Sequence, residues 1–495
     1  MKKSFKQLSI AALGGLAAIA LPAGLQAGAA NTIAKGENAS FVEASVNKQA
    51  KQATALADKL WSLAEMGYQE HKSSVEMQEL LKQAGFKVKA GLAGTETAFV
   101  ASYGKGGPVI AILAEMDALP GFSQAAKPEK MAEPGMNSGH ACGHHLFGAG
   151  SLTAAIAVKE WLKKNKVAGQ IRLYGTPAEE GGSGKVYMVR EGLFDDVDIM
   201  LHWHPANKNI APVGTSLANK SAKFRFHGIA SHASAAPQYG RSALDGVEAM
   251  NMMVNMMREH IPSDARIHYV ITNGGEAPNV VPEFAEVFYY VRSPAAETLV
   301  PIWERVEDIA KAAAMGTGTK VEWEVIHGNH SVLPNVALAE LMHNSLAQFG
   351  GFSYSPAEQK FADKIRISLG ERGEKAKGDE AKIYPFSKAI NSSGGSTDVG
   401  DVSWVVPTVG LRTATWVPGT SAHSWQAVAA GGTSIGHKGM LLAAKTMATT
   451  MIDLYQQPEV IKAAKAEFEE RRGKNFEYKA LLGDRKPPLD YRVKK

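Results

Sequence analysis

Apolar and polar positions along the chain alternate between two rhythms. Four short, mostly apolar runs at 108–114, 170–174, 197–201 and 408–416 are each bounded by Gly, Pro or acidic residues on at least one side, the mark of buried strands. Between and around them lie helical repeats at 49–83, 146–164 and 434–454. Strands alternating with helices predict an α/β fold with a mostly parallel sheet covered on both faces. The middle of the chain has another order. Strand-like runs at 221–228, 266–271, 286–292 and 320–326 enclose helical runs at 242–259 and 298–314. That βαββαβ order is a ferredoxin-like unit of domain size, and it predicts a second domain at 216–330 inserted between core halves 40–215 and 331–457. Residues 355–388 carry the charged run GERGEKAKGDEAK and are expected to be a surface insertion. Residues 458–495 are expected to form a charged helix and tail.

The first 29 residues change the picture of the whole. Lys2 and Lys3 precede an apolar run from Leu8 to Pro22, and small residues at Ala27–Ala30 suit cleavage. The run is short for a membrane span and broken by Gly14 and Gly15, so a cleaved signal peptide is expected, with a mature protein that is exported, periplasmic or secreted. The leader holds three lysines and no acid, so its loss removes three from the net charge of +5. The nearly neutral remainder gives no reason to expect nucleic acid or a membrane surface as partner. An exported chain with a single cysteine, Cys142, makes no internal disulfide, and that thiol calls for another explanation.

Candidate chemistry gathers at the carboxyl ends of the predicted core strands, where open α/β sheets bind ligands. Glu115 and Asp117 follow the first strand, Glu179 and Glu180 the second, His202 and His204 the third, and His423 the fourth. A further cluster, GHACGHHLFGAG, holds His140, Cys142, His144 and His145 just before a helix. Alone, it fits a metal site, a Cys–His nucleophile or a buried structural thiol. Adjacent carboxylates are ordinarily solvated, but in an extended segment neighbouring side chains diverge, so one can bind metal while the other holds water. His202 and His204 face the same way if their strand continues. Together Cys, His, Glu and further His residues suit two divalent ions sharing a bridging group. Trp203, Trp404, Trp416 and Trp425 near these motifs fit either an aromatic pocket or core packing.

HACGH, PAEEGG, SHASAAP, PNVVP and the C-terminal histidine resemble the dinuclear metallopeptidase family of aminoacylases, carboxypeptidase G, hippurate hydrolase and indoleacetyl-amino-acid hydrolases, over about residues 50–455. LHWHP, GRSALD, ITNGGEAPNVVP, STDVGDVSW and TSIGHKGMLLAAKTMA are similar to the subgroup acting on p-aminobenzoyl-glutamate. The resemblance implies two Mn²⁺ or Zn²⁺ ions bridged by Cys142, with His144, Glu180, a histidine of LHWHP and His423 as further ligands. His202 is preferred over His204, because His202 and Pro205 fit the family's His-x-x-Pro spacing. Glu179 is implied as general base and Asp117 as support for a ligand. The inserted domain is implied to be a lid and dimerisation unit. His232 on it would stabilise the oxyanion across a dimer, and Asn279 and Arg292 would hold the substrate carboxylate. The implied partner is a homodimer copy or a related subunit. His145 stands where the relatives usually have an acid. The implied reaction is hydrolysis of N-acyl or N-aroyl amino acids, with p-aminobenzoyl-glutamate the best single substrate. An aminoacylase or dipeptidase taking another acyl group, a silent acyl-amino-acid binder, and a hydrolase using Cys142 as nucleophile are the competing readings.

Overall fold

The computed structural model describes residues 35–493; the expected signal peptide lies outside them. Six strands form the main sheet in the order Lys87–Ala90, Phe99–Lys105, Gly169–Thr176, Val109–Glu115, Ile199–Ala206, Thr408–Ala414. The four from Gly169–Thr176 onward run parallel, and the first two join antiparallel at one edge. Val109–Glu115 is buried from Ile110 on, as expected of a strand covered on both faces. The long helices Glu37–Leu63, His144–Asn165 and Ser434–Gln456 pack on one another, and the latter two also lie against the sheet.

The helix His144–Asn165 is buried without interruption from His144 to Val158. Small residues make this close approach feasible. A Cβ at Gly150 would stand 2.8 Å from the ring of Trp203. Among the described residues no helix is long and apolar enough to cross a membrane.

The second sheet has four antiparallel strands, in the order Arg266–Asn273, Phe284–Ser293, Ala218–His227, Lys320–Asn329. The helices Ala243–Met257 and Ala296–Thr317 pack against it around Phe224, Phe226, Tyr289 and Trp303, giving the βαββαβ order its own core. Arg266–Asn273 is an edge strand, and Tyr269, Val270 and Ile271 on it are exposed.

Three differences from the sequence pattern have physical causes. The predicted helix 49–83 is two helices, Glu37–Leu63 and His71–Gln83. Ala64 and Tyr68 adopt left-handed backbone at φ 42° and 62°, and the turn delivers Glu70 to accept from the Ala178 amide at 2.8 Å. The strands Lys87–Ala90 and Phe99–Lys105 carry no long apolar run and escape a search for buried strands. Residues 355–388 are more than a solvated insertion. Pro356–Leu369 is a helix with a capping box at Ser355 and Glu358, and its Ala362, Ile365 and Leu369 pack on Val417 and Ile435.

Candidate metal centre

The main sheet brings its carboxyl ends together as expected. His144, fully buried, donates from Nδ1 to Asp117 Oδ1 at 2.9 Å, which leaves the Nε2 lone pair free. Asp117 also accepts from the Glu180 amide through Oδ2 at 2.9 Å, so one carboxylate steadies two loops. His204 Nδ1 lies 2.7 Å from the Pro205 carbonyl, and the resulting tautomer directs its Nε2 lone pair toward Cys142 Sγ, 3.4 Å away. His423 Nε2 sits 3.1 Å from Glu180 Oε1. Its backbone is left-handed at φ 56°, a conformation a non-glycine residue holds at a cost and one held here by its amide bond to the Ala141 carbonyl. Gly143, between Cys142 and His144, has no room for a side chain: a Cβ there would stand 2.6 Å from Pro205.

Two sets of donor atoms result, each lying within 4.8 Å of one another: Cys142, His144 and His204, and Cys142, Glu180 and His423. Cys142 belongs to both. A third set, Glu115, His144 and Glu179, is as compact. His144 Nε2 and Glu115 Oε2 are 3.0 Å apart, yet neither completes a hydrogen bond in the buried site. Orphaned donors, a shared sulfur and a mixed N, O and S set fit divalent cations of the zinc or manganese kind. Burial and the nearby Glu180 push the Cys142 thiol well above its usual range. The sharing of Cys142 by two donor sets suits a bridging ligand, a role the nucleophile reading leaves unexplained.

Glu179 is raised well above the usual carboxylate range by burial and by Glu115 and Glu180, and it lines the cavity beside the candidate ligands. The cavity measures about 320 Å³ and is lined by Glu115, Cys142, Glu179, Glu180, His204 and His423 among others.

His202 also lines the cavity but stands outside all three sets. Its ring lies over Gly410, where a Cβ would come within 2.5 Å of Nε2. The geometry therefore brings forward His204 rather than His202. The His-x-x-Pro spacing favours His202, but of the two histidines on the strand Ile199–Ala206 only His204 reaches the sulfur. The rings of His140 and His145 meet at a tilt, their centroids 4.8 Å apart, and the two side chains bond the Leu60 and Gly431 carbonyls.

The residues of the second sheet stand elsewhere. His232 and Asn279 are exposed, and neither they nor Arg292 line the cavity. His232 Nδ1 accepts from the Ala235 amide at 3.1 Å, and Arg292 lies over the Tyr290 ring. The tryptophans are structural: Trp203, Trp404 and Trp416 are buried, and the cavity lining includes no Trp, Tyr or Phe.

Sequence patterns missed several groups around the centre. Lys185, buried in the helix Gly184–Arg190, joins Glu115 Oε1 at 2.7 Å to Asp398 Oδ1 at 2.8 Å. Arg412 lines the cavity from the strand Thr408–Ala414. From the far end of the chain, Tyr491 Oη and Arg492 Nη2 donate to the Glu180 carbonyl at 3.0 and 2.6 Å. The position of Lys185 after GGSG was the one signal available. The contacts of Arg412, Tyr491 and Arg492 span too much sequence to be inferred from pattern.

The sequence profile of peptidase family M20/M25/M40 matches residues 111–367, just over half of the chain. The chain is 40% identical over 456 residues to a p-aminobenzoyl-glutamate hydrolase subunit of Escherichia coli K12, covering 87% of this chain and 94% of that one. Among solved structures it is similar to an aminobenzoyl-glutamate utilization protein from Klebsiella pneumoniae, with TM-score 0.60, 18% identity and coverage of 84% and 99%. It is also similar to the YXEP protein of Bacillus subtilis, a dinuclear metal-binding peptidase, with TM-score 0.56, 16% identity and coverage of 83% and 99%.

Proposed function

Starting from the membership of this chain in peptidase family M20/M25/M40, and so from a metal-dependent amide hydrolase, we propose that it cleaves N-aroyl amino acids, with p-aminobenzoyl-glutamate giving p-aminobenzoate and glutamate as its reaction. The observation that carries this reading is the sharing of Cys142 by two compact donor sets. His144 and His204 would complete one ion's ligands and Glu180 and His423 the other's, so His204 replaces His202 in the ligand set. Mn²⁺ and Zn²⁺ both suit these donors. Two such ions supply an acidified water and a polarised substrate carbonyl. Glu179, grouped with His144 and next in sequence to Glu180, would take the proton of the attacking water and deliver it to the departing amide nitrogen. Asp117 holds His144 in the tautomer that presents Nε2. A silent binder has no use for a second carboxylate at Glu179.

His232, Asn279 and Arg292 act, in this proposal, from the second sheet of a partner or after its closure. None of the three lines the cavity, and His232 and Asn279 are exposed, as fits a site completed by assembly. Met252 and Met256 on the helix Ala243–Met257 are exposed, as are Val270 and Ile271 on the edge strand, and this unpaired edge suits a second copy or a related subunit. The E. coli relative is itself named as a subunit. Export to the periplasm is proposed on the leader alone.

The test is to load purified protein with Mn²⁺ or Zn²⁺, supply a panel of N-acyl and N-aroyl amino acids, and identify products by chromatography. Release of p-aminobenzoate from p-aminobenzoyl-glutamate supports the proposal. Two bound ions with no turnover of any aroyl amino acid would sink it.

A further inference from the structure

Arg412 is the one Lys or Arg in the cavity lining. It lies in parallel register with His204 on the neighbouring strand, and its amide and carbonyl each bond Ile210 at 2.9 Å, so its backbone is fixed. Its guanidinium is half-buried, and among the described residues no carboxylate or other acceptor engages it. Elsewhere Arg225 meets Glu286 and Glu324 and Arg366 meets Asp363, whereas Arg412 forms no ion pair among the described residues. A half-buried guanidinium without an acceptor has donors free for a ligand that enters the cavity. In the same lining, Ser396 Oγ is buried and has no hydrogen-bond partner. One unpaired cation and one orphaned hydroxyl therefore share a cavity with the candidate metal ligands.

We propose that Arg412 and Ser396 form an anion subsite that takes the side-chain carboxylate of an acidic amino acid, making the chain selective for substrates ending in a dicarboxylic residue. The inference rests on the amide-hydrolase reading. An aroyl-glutamate carries two carboxylates, and Asn279 and Arg292 are assigned to one of them. The second needs a cation, and Arg412 is the cavity's unpaired one. A guanidinium holds a carboxylate through two parallel hydrogen bonds, a geometry an ammonium does not reproduce.

The experiment compares p-aminobenzoyl-glutamate with p-aminobenzoyl-glutamine on the wild type, Arg412→Met, Arg412→Lys and Ser396→Ala, measuring kcat and KM on metal-loaded protein. The wild type should favour the glutamate compound by about 10- to 100-fold through KM, the worth of one charge-assisted pair. Arg412→Met should erase the preference by raising KM for the glutamate compound alone. Arg412→Lys should restore it in part, and Ser396→Ala should weaken it. Arg412→Met should fold at least as stably as the wild type, because it removes an unpaired buried charge. An unchanged preference in Arg412→Met overturns the subsite. So does an equal loss on both substrates with weakened metal binding, which would assign Arg412 to Cys142 instead. Calorimetric binding of the same two compounds to metal-free protein separates the claims. A glutamate preference that Arg412→Met abolishes sustains the subsite even if turnover is absent, whereas no preference in the wild type overturns it.

Discussion

Lys185 offers the sharpest test of the electrostatic frame behind the centre. Its ammonium is wholly buried between Glu115 and Asp398, themselves at most 1% exposed. Lys185→Met keeps most of the stem's volume and deletes the charge, leaving two carboxylates in a dry site beside Glu179. Removing one partner of a buried ion pair costs about 3–5 kcal/mol, because the remaining charges stay desolvated and uncompensated. The loss should depend on pH. Burial raises Asp398 to about 6 even with Lys185 present, and without it the carboxyl must rise further. A carboxyl whose folded value exceeds its unfolded value stabilises most below the unfolded value, and that contribution is lost as pH rises through the folded one. The deficit of Lys185→Met should therefore be large at pH 8 and shrink at pH 5. Urea unfolding of metal-free wild type and variant at both pH values measures it, and the double variant Lys185→Met/Asp398→Asn should recover a substantial part of the loss at pH 8. A single variant within about 1 kcal/mol of wild type at pH 8 would refute the reasoning.

Glu179→Gln should retain both ions yet lower kcat by about 10²- to 10⁴-fold, whereas Glu180→Gln should weaken metal binding itself; metal analysis beside steady-state kinetics separates them. His204→Ala should lose affinity for one ion by at least about 10-fold while His202→Ala keeps both, as read by competition with a chromophoric chelator; the opposite pattern returns the ligand role to His202. His140 is lowered by burial to about 4 from the unfolded 6.5, so below 6.5 the unfolded chain takes up the proton first and stability falls toward pH 4. His140→Gln should flatten that fall by up to about 3 kcal/mol, and denaturation profiles of equal slope in both proteins would contradict it.

Much of the sheet and the gathering of the candidate ligands were legible because both follow from local pattern. Glu115 closes its strand, and Glu180 and His423 lie in the loops that follow Gly169–Thr176 and Thr408–Ala414, where the parallel sheet brings them together. The remainder depends on partners far away in sequence. The break at Ala64 to Glu70 exists to bring Glu70 against Ala178, which no helical period announces. Lys185 looks like a helix-surface lysine until Asp398, more than two hundred residues on, is known to meet it. The choice between His202 and His204 turned on a proline spacing that both could claim in part, and only the reach to Cys142 separates them. Trp203 and Trp416 resembled a pocket by adjacency to the motifs, but residues next to strand-end ligands point into the core as often as out of it.

The central claim is that Cys142 is shared by two ions, and anomalous X-ray scattering from crystals grown with Mn²⁺ tests it most directly. Two peaks are predicted flanking the Cys142 sulfur, one beside His144 and His204 and the other beside Glu180 and His423. A single peak, or a pair in which His202 rather than His204 faces the metal, would contradict the account.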